Sequence, residues 1–238
     1  MSISLIIPAY NEESSIGACI EAAIKNGKGK YKEIIVVDNA STDNTAAVAG
    51  RYPDVRVISE TRKGTGHARQ TGTENAQGEI LAYVDADTRI PEGWFDYIEK
   101  VFSSDPKVVF LSGPYRYLVS TRYPLWFLNA LWWVSPPIAG IVGFMAIGGN
   151  CAMRADALKS IGGHDRTIAF YGDDTDLARR LHKVGKTLWR MKFFIYTSGR
   201  RFDEKGIFDT CMQYTLNYWW PVLFHRPFTT GHHDIKRT

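Results

Sequence analysis

The sequence predicts an α/β fold, a mostly parallel central sheet with helices on both faces. Short apolar runs alternate with segments of helical periodicity from Ile3 to Val84. The runs are almost continuously apolar, as strands buried on both faces are. Three of them also end in polar or acidic residues, which belong at the carboxyl edge of such a sheet.

Ile3 to Ile7 is the first run, closed by Pro8. Glu12 to Asn26 then places Ile16, Cys19, Ile20, Ala23 and Ile24 at helical spacing, giving strand, turn and helix. EIIVVD from Glu33 is a second strand, followed by the loop NASTDNT and a short helix through Ala49. VRVIS from Val55 is a third, a glycine-punctuated helix is expected around Ala68 to Ala76, and ILAYV from Ile80 is a fourth. Ligands of such sheets sit beyond the carboxyl ends of the strands, among loop residues and helix N-termini. There the sequence gathers Ala9, Tyr10, Asn11 and Glu12, then Asp38, Asn39 and Ser41, then Asp85 and Asp87.

The chain has 238 residues, enough for one large α/β domain with a sizeable core. With 45% hydrophobic and 23% charged residues, and no repeat or low-complexity tract, it reads as a folded globular protein. A net charge of +4 favours anionic partners such as nucleotides, but its scatter along the chain argues against nucleic acid. Cys19, Cys151 and Cys211 are odd in number and far apart, which points to free buried thiols in a reducing compartment rather than zinc. The N-terminus reads as a first strand rather than a signal peptide, so a cytoplasmic location is expected.

Asp85 and Asp87 stand two apart directly behind an apolar run. Alternate residues of an extended segment project the same way, so their carboxylates lie side by side. Like charges held close need a cation or protons. A hard divalent cation, Mn or Mg, that shares its coordination with water and a diphosphate meets that need. A second acidic group, Asp173, Asp174 and Asp176, precedes LARRL, which has helical spacing. Helix capping accounts for one such Asp and does not require three.

Four pieces in this order, IPAYNEE (Ile7 to Glu13), VVDNASTDNT (Val36 to Thr45), GEILAYVDADT (Gly78 to Thr88) and YGDDTDLARRL (Tyr171 to Leu181), resemble the inverting nucleotide-sugar glycosyltransferases of family 2, of GT-A (Rossmann-like) fold. The resemblance covers about the first three quarters of the chain. It implies a nucleoside pocket from Pro8, Ala9, Tyr10 and Glu12 with Asp38, which accepts a hydrogen bond from the base. Arg62, Lys63 and Arg69 would lie near the diphosphate. Asp85 and Asp87 match the family's DxD pair, implying metal and ribose contacts, with Asp87 the more direct metal ligand. Asp174 takes the position of the general base, and Asp173 stands where the family usually has Glu. GGN, Gly148 to Asn150, resembles the stretch bordering donor sugar and acceptor, where Gly149 lets backbone approach a ligand and Asn150 bonds a hydroxyl; a simple strand-end turn is the other reading. His164, in GGHD, is read as an ordinary packed or exposed side chain and not as a metal ligand.

Tyr123 to Asn150 has no charged residue and contains Trp126, Trp132 and Trp133. Its length alone would suffice to span a bilayer, but Pro136 and Pro137 are expected to break it into two short pieces. Three readings stay open: a core hairpin of helices, a surface resting on a membrane, or an apolar wall for a lipid-linked acceptor. Beyond it lie Arg200 and Arg201, placed either at the diphosphate or an anionic acceptor or simply at the surface, and an aromatic stretch from Thr215 to Phe228. Gln213 does not complete the Gln-x-x-Arg-Trp motif of processive synthases, so transfer of a single sugar is expected. The division expected is 1–115 for the nucleotide sugar, 116–206 for acceptor and base, and 207–238 as an aromatic and basic extension. The expected partners are a nucleoside-diphosphate sugar, uridine-linked, and an unidentified acceptor, lipid-linked or membrane-associated, with the chain on the inner face of the membrane. A nucleotidyltransferase is disfavoured, because no glycine-rich basic loop follows the first strand. A catalytically silent nucleotide-sugar-binding or membrane-recruitment module is the alternative.

Overall fold

The computed structural model describes residues 1–168 and 172–224. Its first half runs β1 (Ile3–Ala9), α1 (Ile16–Gly27), β2 (Glu33–Asp38), α2 (Thr45–Ala49), β3 (Val55–Ser59), α3 (Thr65–Asn75) and β4 (Ile80–Val84). The four predicted strands stand where the apolar runs place them. Helix α1 starts four residues later than its periodicity suggests, because the Glu12 carbonyl closes a turn by accepting the N–H groups of Ser15 and Ile16. The second half runs α4 (Trp94–Ser104), β5 (Val108–Ser112), β6 (Tyr115–Val119), α5 (Leu125–Ala130), a 3-10 turn (Leu131–Val134), α6 (Ser135–Val142), β7 (Asn150–Arg154), α7 (Ala155–Ser160), α8 (Asp173–His182), β8 (Lys186–Trp189), β9 (Ile195–Ser198), α9 (Arg200–Lys205) and α10 (Ile207–Phe224).

Seven strands form one sheet in the order β3-β2-β1-β4-β7-β5-β8, and β6 pairs with β9 in a small second sheet. All pairs are parallel except those of β7, which runs antiparallel to both β4 and β5. Side chains alternate between the faces, as strand geometry requires. Leu5, Ile7, Ile34 and Val36 pack with Ile16 and Ile20 of α1 and with Phe95 and Ile98 of α4. Ile6, Ile35, Val37 and Tyr83 pack on the other face with Ala68 of α3 and Leu177 and Leu181 of α8. Each such side chain, fully buried, stabilises the fold by about 1.5–3 kcal/mol.

Pro136 and Pro137 do not break the uncharged segment. They fall in the first turn of α6, where the missing N–H costs nothing, and α5, the 3-10 turn and α6 continue as one helical run. That run, Leu125–Val142, is the one helix among the described residues long and apolar enough to cross a membrane. It is also not a core hairpin, since only 11% of it is buried. Cys19 and Cys151 are buried free thiols as expected, whereas Cys211 on α10 is only partly buried. Tyr171, and the part of the aromatic stretch from His225 to Phe228, lie outside the described residues.

Candidate active site

The loops after β1, β2 and β4 meet at the carboxyl edge of the sheet. The polar loop after β2 holds the one after β1: Asn11 accepts the Thr42 N–H at 2.7 Å, and Thr45 Oγ1 accepts the Glu12 N–H at 2.7 Å. Pro8, Ala9, Tyr10 and Glu12 are thereby fixed along one end of a cleft of about 710 Å³. Asp38 pairs in register with Ala9, and its Oδ1 is buried without a hydrogen-bond partner. A buried acceptor left this way calls for an external donor.

The antiparallel course of β7 shapes the middle of the cleft. It sets Asn150 opposite Val84, so Gly148 and Gly149 arrive beside Asp85 at the end of β4. A Cβ on Gly149 would collide with the Asp85 carboxylate and the Tyr115 hydroxyl and force those side chains to shift. Asp85 accepts from the Tyr115 hydroxyl at 2.8 Å and from Arg69 Nη2 at 3.3 Å. Arg69 also donates to Asp173 Oδ2 through Nη1. Burial opposes the Arg69 charge, but Asp173 and Asp85 outweigh it and raise the pKa.

Helix α8 begins after Gly172, whose φ of 84° suits the turn into it. Asp173 and Asp174 occupy its first turn and line the cleft, while Asp176 pairs with Arg179 and Arg180 on the helix itself. Asp174 accepts the Gly148 N–H at 3.1 Å and the Thr175 N–H at 2.8 Å. Burial pushes its pKa up, Asp173 pushes it further, and Arg69 with the two N–H groups holds it at about 6. Asp174 is thus a carboxyl group that changes charge near neutral pH, the requirement for a general base.

Several expected residues stand differently. Asn150 does not reach the cleft as a donor to substrate: fully buried, it bonds Gly113, Pro114 and Phe193 carbonyls and accepts from Trp94 Nε1. Arg69 lines the cleft, held between the carboxylates of Asp85 and Asp173. Arg62 pairs with Glu60 at 2.7 Å. Lys63 bonds the Tyr10 hydroxyl at 3.0 Å, beside the loop after β1. Arg200 lies 3.4 Å from Asp87, and Arg201 lies 3.2 Å from the Tyr214 hydroxyl, so both border the cleft. His164 is buried edge-on to Tyr83, and burial, then Arg69 and Arg180, push its pKa down to about 3. Tyr115 was missed, as were Tyr214 and Tyr218 of α10. Aromatic side chains in SGPYRY or in a hydrophobic helix carry no motif that separates a site residue from core.

Among the described residues no cluster of three or more His, Cys, Asp or Glu is ready to hold a metal. Asp85, expected to share a metal, has both oxygens engaged by Tyr115 and Arg69. Asp87 lines the cleft partly exposed, beside Arg200. A hard cation that takes its other ligands from water and a diphosphate needs only one or two carboxylates, so Asp87 fits the role and a cage made wholly of protein does not.

The cleft continues past the acidic residues into an apolar limb between α5–α6 and α10, lined by Phe127, Leu131, Ile138, Tyr214, Tyr218 and Trp219. One side of a single cavity is therefore charged and the other is oily.

A family model described as "Glycosyl transferase family 2" matches residues 4–162. Glycosyltransferase AglE of Haloferax volcanii is 37% identical over 101 residues, which is 40% of this chain and 33% of that protein. The Escherichia coli UDP-Glc:alpha-D-GlcNAc-diphosphoundecaprenol beta-1,3-glucosyltransferase WfgD is 34% identical over 88 residues, 36% of this chain and 34% of its own. The chain spans 26% to 53% of the length of the curated relatives it matches. In structure it is similar to the mannosyltransferase PcManGT of Pyrobaculum calidifontis, solved with GDP-Man and Mn2+. The TM-score is 0.67 at 21% identity, covering 91% of this chain and 62% of that one. That likeness shows a shared fold, the GT-A arrangement of a mostly parallel sheet between helices.

Proposed function

The chain belongs to glycosyl transferase family 2, and from that premise we propose that it moves one sugar from a uridine diphosphate sugar to a hydroxyl of a lipid-linked acceptor, with inversion and with a divalent cation. The observation that carries this reading is one continuous cleft. It is lined by Pro8, Ala9, Tyr10 and Glu12, by Asp87 and Asp174, and by the apolar side chains of α5–α6 and α10, and Asp38 pairs with Ala9 at its border. WfgD takes UDP-Glc and a diphosphoundecaprenol acceptor by its name, and PcManGT was solved with Mn2+, which supports both halves of the proposal without extending to this chain.

In the reaction, Asp38 Oδ1 accepts the ring N–H of uracil, the donor its buried oxygen lacks. Asp87 would hold Mn2+ or Mg2+, which when bound supplies positive charge to the leaving diphosphate. Arg200, beside Asp87, adds a cationic hydrogen-bond donor at the same place. Asp174 takes the proton of the acceptor hydroxyl while that oxygen forms its bond to the anomeric carbon. The bond from that carbon to the diphosphate oxygen breaks on the opposite face, and the electron pair leaves with the nucleoside diphosphate. Asp173 cannot share the work of the base, since Arg69 occupies it. It instead raises the proton affinity of Asp174.

The test is calorimetric titration of UDP and GDP, each with and without Mn2+, on wild type and Asp87→Ala. Binding of UDP that needs Mn2+ and disappears in the variant is the expected result. No binding of either nucleotide would sink the proposal and leave no donor for the cleft.

A further inference from the structure

Exposed large hydrophobic side chains are not spread over this protein. Apart from Met1 and Val184, those among the described residues fall in 118–141 and 208–224. These are the two segments that frame the apolar limb. Five of the seven tryptophans, Trp126, Trp132, Trp133, Trp219 and Trp220, lie in them as well.

The helical run 125–142 has two unlike sides. Leu128 and Ser135, seven apart, are buried against the protein. Trp126, Trp133, Val134 and Ile141 share another side and are 73%, 70%, 62% and 86% exposed. Spacings of seven and eight keep these four on one stripe. The run therefore has no charged face at all: one side is protein core and the other is apolar and bare. Helix α10 adds exposed Phe208, Met212, Leu223 and Phe224. Phe127 and Val134 both line the cleft and stand exposed, so the wall of the limb passes without a break onto this face.

We propose that α5–α6 and α10 form a docking face for a lipid bilayer, with the apolar limb of the cleft opening onto the leaflet. Tryptophan-rich apolar stripes suit the interfacial layer of a membrane, where an amphipathic ring keeps one edge wet. Exposed Arg122 directly precedes the apolar run, and the chain carries a net charge of +4, which complements anionic headgroups. Leu128 and Ser135 tie the run to the body of the protein, so it lies along the surface of the membrane rather than through it. The entry of a lipid-linked acceptor through the limb rests on the function proposed above; the docking face itself does not.

Flotation of the full chain with vesicles of phosphatidylglycerol and phosphatidylcholine tests it. Wild type should float, and vesicles with brominated acyl chains should quench its tryptophan fluorescence. The double substitution Trp133→Asp and Ile141→Asp changes two exposed residues outside the cleft lining. It should weaken partition by about tenfold or more and leave the titration with UDP and Mn2+ unchanged. Wild type that stays with the unbound fraction, a variant that floats equally well, or absence of quenching overturns the proposal. So does light scattering that shows a dimer abolished by the same substitutions, since a second copy would then cover the face. The quenching is read on wild type, so misfolding of the variant does not obscure the answer. Loss of nucleotide binding with flotation intact would refute the donor reading alone.

Discussion

Asp173 and Asp174 are neighbours in sequence and opposites in role. The difference comes from Arg69, which binds the first and only influences the second. Asp174→Asn is expected to lower the transfer rate by about 10²–10⁴-fold, while UDP still binds in the presence of Mn2+; single-turnover kinetics and calorimetry read the two separately. A silent binding module would show no turnover to lose in wild type. The rate should also fall as pH drops through about 6, where Asp174 gains a proton. The sign for stability is the reverse. The folded pKa of this carboxyl lies above its ordinary 3.8, so the fold favours the neutral form. Its stabilising effect is present at low pH and is lost as pH rises through about 6. Asp174→Asn should therefore melt above wild type on the alkaline side of that window, with the gap closing as pH falls towards 3.8. Thermal melts of both proteins across the range check this. A gap that does not change with pH would mean that the fold does not raise the pKa of Asp174.

At the level of elements, Arg69 joins three of them: its own helix α3, the end of β4 through Asp85, and α8 through Asp173. Arg69→Met leaves Asp173 buried beside a hydrocarbon chain, at an expected cost of about 3–5 kcal/mol, measured by urea unfolding. Gly149→Ala acts on the site with less effect on the fold, because its Cβ meets Asp85 and Tyr115 rather than core. It should raise the KM for the donor while the melting temperature moves little; unchanged KM would mean that Asp85 does not serve the donor. Strands β1 to β4 were legible because each is an apolar run closed by a turn former, and pairing between neighbours in sequence follows from the βαβ pattern. Strand β7 was not. Its partners are Val84 and Ser112, reached only through the long uncharged segment, so nothing local told that Asn150 would face inward. The same tertiary pairing turned a residue expected at the sugar into a buried strut. Pro136 and Pro137 misled for a related reason: a proline breaks the interior of a helix and begins one equally well, and sequence alone did not show which turn they occupied.

For the molecule as a whole, the acidic edge was readable and the oily limb was not. Motifs mark chemistry at strand ends, whereas an apolar wall is made by whichever helices happen to meet, here α5–α6 and α10. Helix α10 packs on α8 and on the body through Tyr218, whose hydroxyl donates to the Phe144 carbonyl at 2.9 Å. It also supplies Tyr214, Tyr218 and Trp219 to the limb, whereas Pro8, Ala9, Tyr10 and Glu12 come from β1 and the loop after it. This asymmetry yields a test of how labour is divided. A chain ending after Gly206 loses one wall of the limb but keeps β1 to β4 and the residues proposed to hold the nucleoside. It should still bind UDP with Mn2+, since Asp38, Asp87 and the loop after β1 are held by the sheet. Transfer should fall to background, because the acceptor's side of the cavity stands open to water and Arg201 has lost its Tyr214 partner. Calorimetry and a transfer assay on the same preparation decide it, with circular dichroism to establish that the shortened chain is folded. A folded chain that transfers at the wild-type rate would show that α10 takes no part in acceptor binding and would shift the acceptor's place to the α5–α6 side alone.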